Sequence, residues 1–503
     1  MEENIQTIGG GTGREIPVKD LLLIAGTLLL GILFVTLFFE GGFGLSVPIF
    51  VAAFYAVMLL YSRSRLLKSS LFGWFLALPV VMLSLTYCFF AGGLFRALNI
   101  LILPALIVLQ TLLVTGGNSF RWHSPAILLD LFFGIFFRCL VHIGKPFRLI
   151  GRAIVQKTGN SRLNPSVARV LAGLAISLPI VAILIALLSS ADMVFNSMVS
   201  TIPDLLNSLN LGRAVAKTIL GAVIFLFSFS YLWSLSTTDE KPGGGLKDTI
   251  QGPLPKVWDP VTILTVTVVI DLIYVAFVAI QFAYLFGGAS FGLPADFTYS
   301  EYARRGFFEL VAVTVINIGL LAFFLSFTKN TATGAGMALK VLYSVMIGCT
   351  FVMLFSAHLR MSLYEEAYGY TYMRMYTHLF MAFLLVLFII TLYRVWADGA
   401  QLLKPYIIAA LIAFMIVNYM NVDALIAREN IDRYNKTGKI DTSYLTVLSN
   451  DAIPDIVALV KAHPETAPQL KSYLDGKKQE LSRQKDWQSF NLADYNAARA
   501  LRE

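Results

Sequence analysis

Glu365 and Glu366 sit in RMSLYEEAYGYTYMR, between Arg360 and Arg374 and among Tyr364, Tyr368, Tyr370 and Tyr372. A positioned carboxylate beside arginines could act as a general base with an anion holder. The same mixture, with tyrosine rings and hydroxyls, also suits a pocket that binds through polar and stacking contacts. A second stretch has the same character. PADFTYSEYARRGFFEL carries Glu301, Arg304, Arg305 and Glu309, and the spacing of Glu301, Arg305 and Glu309 predicts an ion-pair ladder on one helical face. We expect the two stretches to pack together, with the arginines facing the glutamates and the tyrosines walling the cluster. Gly369 would allow the turn between its polar halves. The bland alternative is an interfacial tyrosine belt with snorkelling arginines.

Asp271 is the other reactive candidate. It lies in VTILTVTVVIDLIYVAF, roughly 18 Å into a helix at 1.5 Å per residue, near the middle of a bilayer. A carboxylate there must be protonated, paired or hydrated. It is either a proton or cation relay or a partner for Asn317, Gln281 or a neighbouring backbone. His358 and His378 flank the tyrosine-rich connection without HxxxH or HExxH spacing and read as interfacial histidines, not metal ligands. Cys88, Cys139 and Cys349 lie in apolar segments with no CxxC spacing. GGGTGRE and KPGGGLKD lack the strand-to-helix context of a phosphate loop and read as linkers. We therefore expect no metal and no cofactor.

The elements that must position these residues are membrane helices. Of the 503 residues 57% are hydrophobic and 14% charged, well below the roughly 25% charged typical of soluble domains. Uncharged runs long enough to cross a bilayer recur from residue 21 to residue 421. The expected fold is all-α, a polytopic transmembrane bundle of about 11 spans with a small C-terminal helical domain. The spans are expected at 21–39, 44–61, 71–91, 97–115, 169–189, 215–235, 259–286, 306–327, 340–358, 376–396 and 404–421. Ile127 to Ile143 is apolar but holds Asp130, Arg138 and His142; we read it as interfacial or re-entrant, with a polar-lined span as the alternative. FFEGGFG, FFAGGLF and LFGGASFG read as hairpin turns at the membrane boundary.

A net charge of +8 fits basic loops beside a membrane and not nucleic-acid binding. Lys and Arg favour alternate connections by roughly three to one. Residues 1–20 then form a cytoplasmic tail, 116–168 a basic cytoplasmic insertion in the 21–421 membrane region, and 422–503 an extracytoplasmic unit. The first apolar run has no cleavage site after it and reads as a retained span.

FTYSEYARRGFFELVAVTVINIGLL, HLRMSLYEEAYGYTYMRMYTHLFM and NVDALIARENIDRYNKTGKIDTSYLTVLSNDAIPDIVALV together resemble a bacterial membrane family, the domain of unknown function numbered four-one-seven-three or its relative numbered four-one-five-three. The likeness runs from Phe297 to Val460 and more loosely through the earlier spans. It implies a multi-spanning protein of the bacterial plasma membrane and supplies no catalytic residues. Two functions follow. The first is a non-enzymatic protein binding a lipid, small solute or protein partner at the outer face, as a transporter-like or sensor-accessory component. The second is a membrane-embedded transferase acting on a lipid-linked substrate, with Glu365 or Glu366 as base and Arg360 or Arg374 holding an anion.

Overall fold

The computed structural model describes residues 17–63, 66, 70–158, 177, 181, 188, 211–236, 256–286, 307–329, 334–397, 401–483 and 486–503. Among these the chain is helical, with one isolated bridge between Trp258 and Thr328. The apolar runs become helices because only a helix satisfies every backbone polar group within its own segment when no water is present. They are α1 (Val18–Phe34, continued by a π-helical turn to Phe39), α2 (Ser46–Ser62), α3 (Leu71–Phe75), α4 (Ala77–Phe89) and α5 (Gly93–Thr115). Next come α6 (Ile127–Phe136), α7 (Arg138–Val141), α8 (Lys145–Thr158) and α9 (Leu211–Ser236). The second half holds α10 (Pro260–Phe286), α11 (Phe307–Phe327), α12 (Gly334–Tyr368), α13 (Tyr372–Trp396) and α14 (Leu403–Tyr419).

Nine helical segments among the described residues are long and apolar enough to cross a membrane, or ten if a bent pair at Leu403–Thr437 is one span. The chain is a multi-pass membrane protein with an all-α fold. Leu60, Leu101 and Leu272 are 82%, 74% and 66% exposed on their helices, which a bilayer tolerates and water does not. The expected span at 44–61 is a shorter apolar helix, Ser46–Ser62, and the one at 169–189 lies outside the described residues except for 177, 181 and 188.

Ile127–Arg152 passes the same length test, and its polar residues are held by the ends of neighbouring helices. At its start, Asp130 accepts the backbone N–H groups of Ser119 and Phe120 at 2.8 Å each, just past the end of α5. Arg138 donates to the Gly117 carbonyl at 2.6 Å. At its far side, Lys145 lies 5.9 Å from the Trp233 ring centre, near the end of α9, and Leu149 shares a cluster with Leu23, Met58 and Leu235. The segment therefore touches the ends of both α5 and α9 and remains a candidate span by length and composition. Backbone groups offset much of the cost of burying Asp130 and Arg138, although Arg138 Nε has no partner among the described residues.

The helices alternate between two ends. One gathers Lys19 over Tyr61, Lys404 over Trp122, and Trp258 beside Thr328. The other gathers the turns after α1, α4 and α12. Over this second end lie α15 (Val422–Thr437), α16 (Thr442–Leu445), α17 (Ile453–Ala462), α18 (Ala467–Ser482) and α19 (Leu492–Ala500). Their core of Val422, Ile426, Leu445, Ile456, Leu459 and Leu470 takes in Tyr370, Tyr372 and Tyr376 from the membrane helices.

Candidate functional site

The tyrosine-rich connection closes the α12–α13 hairpin. Gly369 has φ +83, and a Cβ there would stand 2.6 Å from Asn430 Oδ1, so the turn needs glycine for both conformation and space. Arg433 of α15 donates to the carbonyls of Glu366 and Ala367 at 2.8 and 2.7 Å, closing the frayed end of α12. The turn is thus a docking surface for the C-terminal helices.

Among the described residues Glu365 pairs with a histidine. Glu365 is buried and meets His378 Nε2 at 2.8 Å, and His378 Nδ1 lies 2.8 Å from His358 Nδ1. A neutral His378 donating to Glu365 must accept from His358, so the three form a chain along which a proton can move. Arg360 is buried with Gln281 Oε1 3.4 Å away, and Arg374 bonds the Gly369 carbonyl with its guanidinium 4.3 Å from the Tyr364 ring centre. Tyr364 and Tyr368 rings stand 4.9 Å apart, with Tyr368 and Glu366 exposed. Glu301, Arg304 and Arg305 lie outside the described residues, while Glu309 is exposed on the first turn of α11. Phe307 and Leu310, at the end of that stretch, share a cluster with Met361, Tyr364 and Met381.

Asp271 is buried on α10, and neither carboxylate oxygen has a hydrogen-bond partner among the described residues. Its suggested partners are engaged elsewhere. Asn317 accepts from Tyr274 at 2.6 Å and donates to Thr350 at 2.9 Å, while Gln281 accepts from Ser356 at 2.8 Å. Among the described residues no group of three His, Cys, Asp or Glu side chains could hold a metal ion.

A chamber of about 600 Å³, mostly apolar in its lining with a few polar groups set into it, lies between the membrane helices and the C-terminal helices, within the usual size of a small-molecule site. Asp423 enters it from the first turn of α15, where the helix dipole favours an anion. Its Oδ1 accepts from the Tyr372 hydroxyl and, at 2.7 Å, from the Ser449 amide. Asp451 accepts the Ala91 amide at 2.6 Å and the Ser449 hydroxyl at 2.9 Å. Burial pushes the Asp451 carboxyl above its ordinary value against those two bonds, and the Asp423 charge pushes it the same way. From the membrane side comes Asn99, 1% exposed, which donates to Asn418 Oδ1 at 2.7 Å and leaves its own Oδ1 buried without a partner. Arg96 lines the same chamber, held by a 2.8 Å bond to the Phe43 carbonyl.

Residues 77–459 match the family model described as Domain of unknown function (DUF4153). The chain belongs to this family. The match begins well before Phe297, within α4, and it falls on the second of the two families that the sequence resembles. No curated protein and no solved structure matches the chain. In this DUF4153 protein the family region contains Asn99, Asn418, Asp423 and Asp451, so the chamber lies inside it. Reading the sequence missed those four residues. The available signal was an asparagine inside each of two apolar runs, NILILP and IVNYM, where a polar side chain needs a reason.

Proposed function

We propose that this protein is a non-enzymatic membrane component that binds a small polar group in the chamber beneath its C-terminal helices. The observation that carries the reading is Asn99, which lines a chamber that also holds Asp423 and Asp451 and whose Oδ1 is a buried acceptor with no partner among the described residues. An unpaired buried acceptor costs roughly 1–3 kcal/mol, and a bound donor would recover it. The transferase alternative has less support, because Glu365 is buried against His378 and Glu366 is exposed at the turn. Neither lines the chamber. Basic residues at the opposite end, among them Lys19, Arg121, Lys145, Arg148 and Lys404, support placing the chamber on the extracytoplasmic side of a bacterial plasma membrane.

Native mass spectrometry of protein extracted in polymer nanodiscs tests the binding reading. Wild type is expected to retain one bound molecule that the Asn99→Leu, Asp423→Asn double variant loses. A wild type that carries nothing, or a variant that carries as much, overturns it.

A further inference from the structure

A second cavity, about 480 Å³ and almost wholly apolar, runs beside α5. Phe38, Leu103, Ile107 and Phe227 line it, together with Ile135 of α6. Asn99 lines both this groove and the chamber. The two cavities also meet through Arg96, whose guanidinium lies 5.5 Å from the ring centre of Tyr87, a residue of the groove. Along α5 the groove descends from Asn99 to Val108, roughly 14 Å at 1.5 Å per residue.

A chamber at the bundle's end that holds charged and amide side chains and shares a wall residue with an apolar slot between helices matches one kind of molecule, an amphiphile. We propose that the site holds a phospholipid with a primary ammonium headgroup, its ammonium at Asp423 and Asn99, its phosphate at Arg96, and one acyl chain in the groove. This rests on the binding reading above and names its ligand. The charges select the headgroup. Asp423 and Asp451 supply anionic acceptors that a cation completes, Asn99 Oδ1 supplies a neutral one, and Arg96 is the cation suited to a phosphate. An anionic headgroup without an ammonium would leave the carboxylates facing added negative charge. Aromatic rings of Phe95 and Tyr376, 5.3 Å apart at the chamber wall, give the ammonium further favourable faces.

The test titrates delipidated full-length protein, followed by native mass spectrometry, with three probes. These are dioleoyl phosphatidylethanolamine, dioleoyl phosphatidylglycerol and chain-free glycerophosphoethanolamine. The first should bind more tightly than the second by roughly tenfold, as one charge-assisted contact provides, and more tightly than the third. Ile100→Trp, at a half-exposed position on the groove, should remove the advantage of the chains while glycerophosphoethanolamine binding persists. If the variant does not fold, judged by its thermal transition, Ile107→Trp replaces it. Equal binding of the ethanolamine lipid and its chain-free headgroup overturns the amphiphile and leaves the chamber reading standing. Equal binding of the two lipids overturns the headgroup assignment. Binding of none of the three, with an empty wild type in nanodiscs, removes both readings.

Discussion

Asn430 and Tyr370 bond each other twice. The Tyr370 amide donates to Asn430 Oδ1 at 2.9 Å, and Asn430 Nδ2 donates back to the Tyr370 carbonyl at 2.9 Å. One side chain thereby satisfies both backbone groups of a turn residue that no helix can serve. Asn430→Leu strands both and should lower stability by about 2–4 kcal/mol. The expected sign is faster proteolysis between the membrane helices and α15, with Asn430→Asp intermediate because it keeps the acceptor.

Arg433→Met removes the two bonds to Glu366 and Ala367 while keeping an apolar stem. Because the guanidinium is solvent-accessible, the loss should be about 1 kcal/mol. Hydrogen exchange should rise in the last turn of α12 and around Lys439, whose carbonyl Arg433 also bonds at 3.0 Å, and little elsewhere. Unchanged protection there would mean the carbonyls are equally well served by water.

Asp451 predicts a pH dependence. Its folded-state pKa is raised above 3.8, chiefly by burial, so the folded protein holds the proton more tightly than the unfolded chain. Its favourable contribution is full below the ordinary value and is lost as pH rises through the raised one. Thermal midpoints of wild type and Asp451→Asn, measured from about pH 4 to pH 7, should therefore diverge. The wild type should fall relative to the variant with rising pH. A constant difference across that range contradicts the assignment.

The reading of 127–143 as interfacial or re-entrant predicts a labelling pattern. Ser124→Cys and Gly144→Cys stand before α6 and after α7, and a Cβ at Gly144 meets nothing within 4 Å. Both should react with an impermeant reagent from the same side, and a reporter fused after residue 503 should be active from the other. Reaction from opposite sides would make 127–152 a span.

Much of the helical architecture was legible because a bilayer allows few alternatives to a long apolar helix. Pro104 inside α5 did not interrupt it, as neighbours can re-satisfy a freed carbonyl in a membrane. The site was much less legible. Glu365 and His378 are 13 residues apart and adjacent in space only because α12 and α13 fold back on each other, a contact that charge counting does not reveal. The partners of the tyrosine turn, Asn430, Arg433 and Asp423, lie 51 to 67 residues further along. No local pattern reports such distances. The glycine turns were read for their flexibility, whereas Gly44 is there for closeness: a Cβ would lie 2.5 Å from the Ser489 backbone.

That closeness has a consequence in time. Ala91 is held by Asp451, which follows it by 360 residues, and the carbonyls of Tyr87 and Phe90 are held by Asn491, after 404 and 401. During synthesis these turns emerge long before the groups that fasten them. Contacts of such sequence separation form late. The hairpins of the first half therefore insert with that end unlatched, and it closes only when the C-terminal helices arrive. A ribosome stalled before residue 450 would leave the bundle open at that end, with the glycine turns bare.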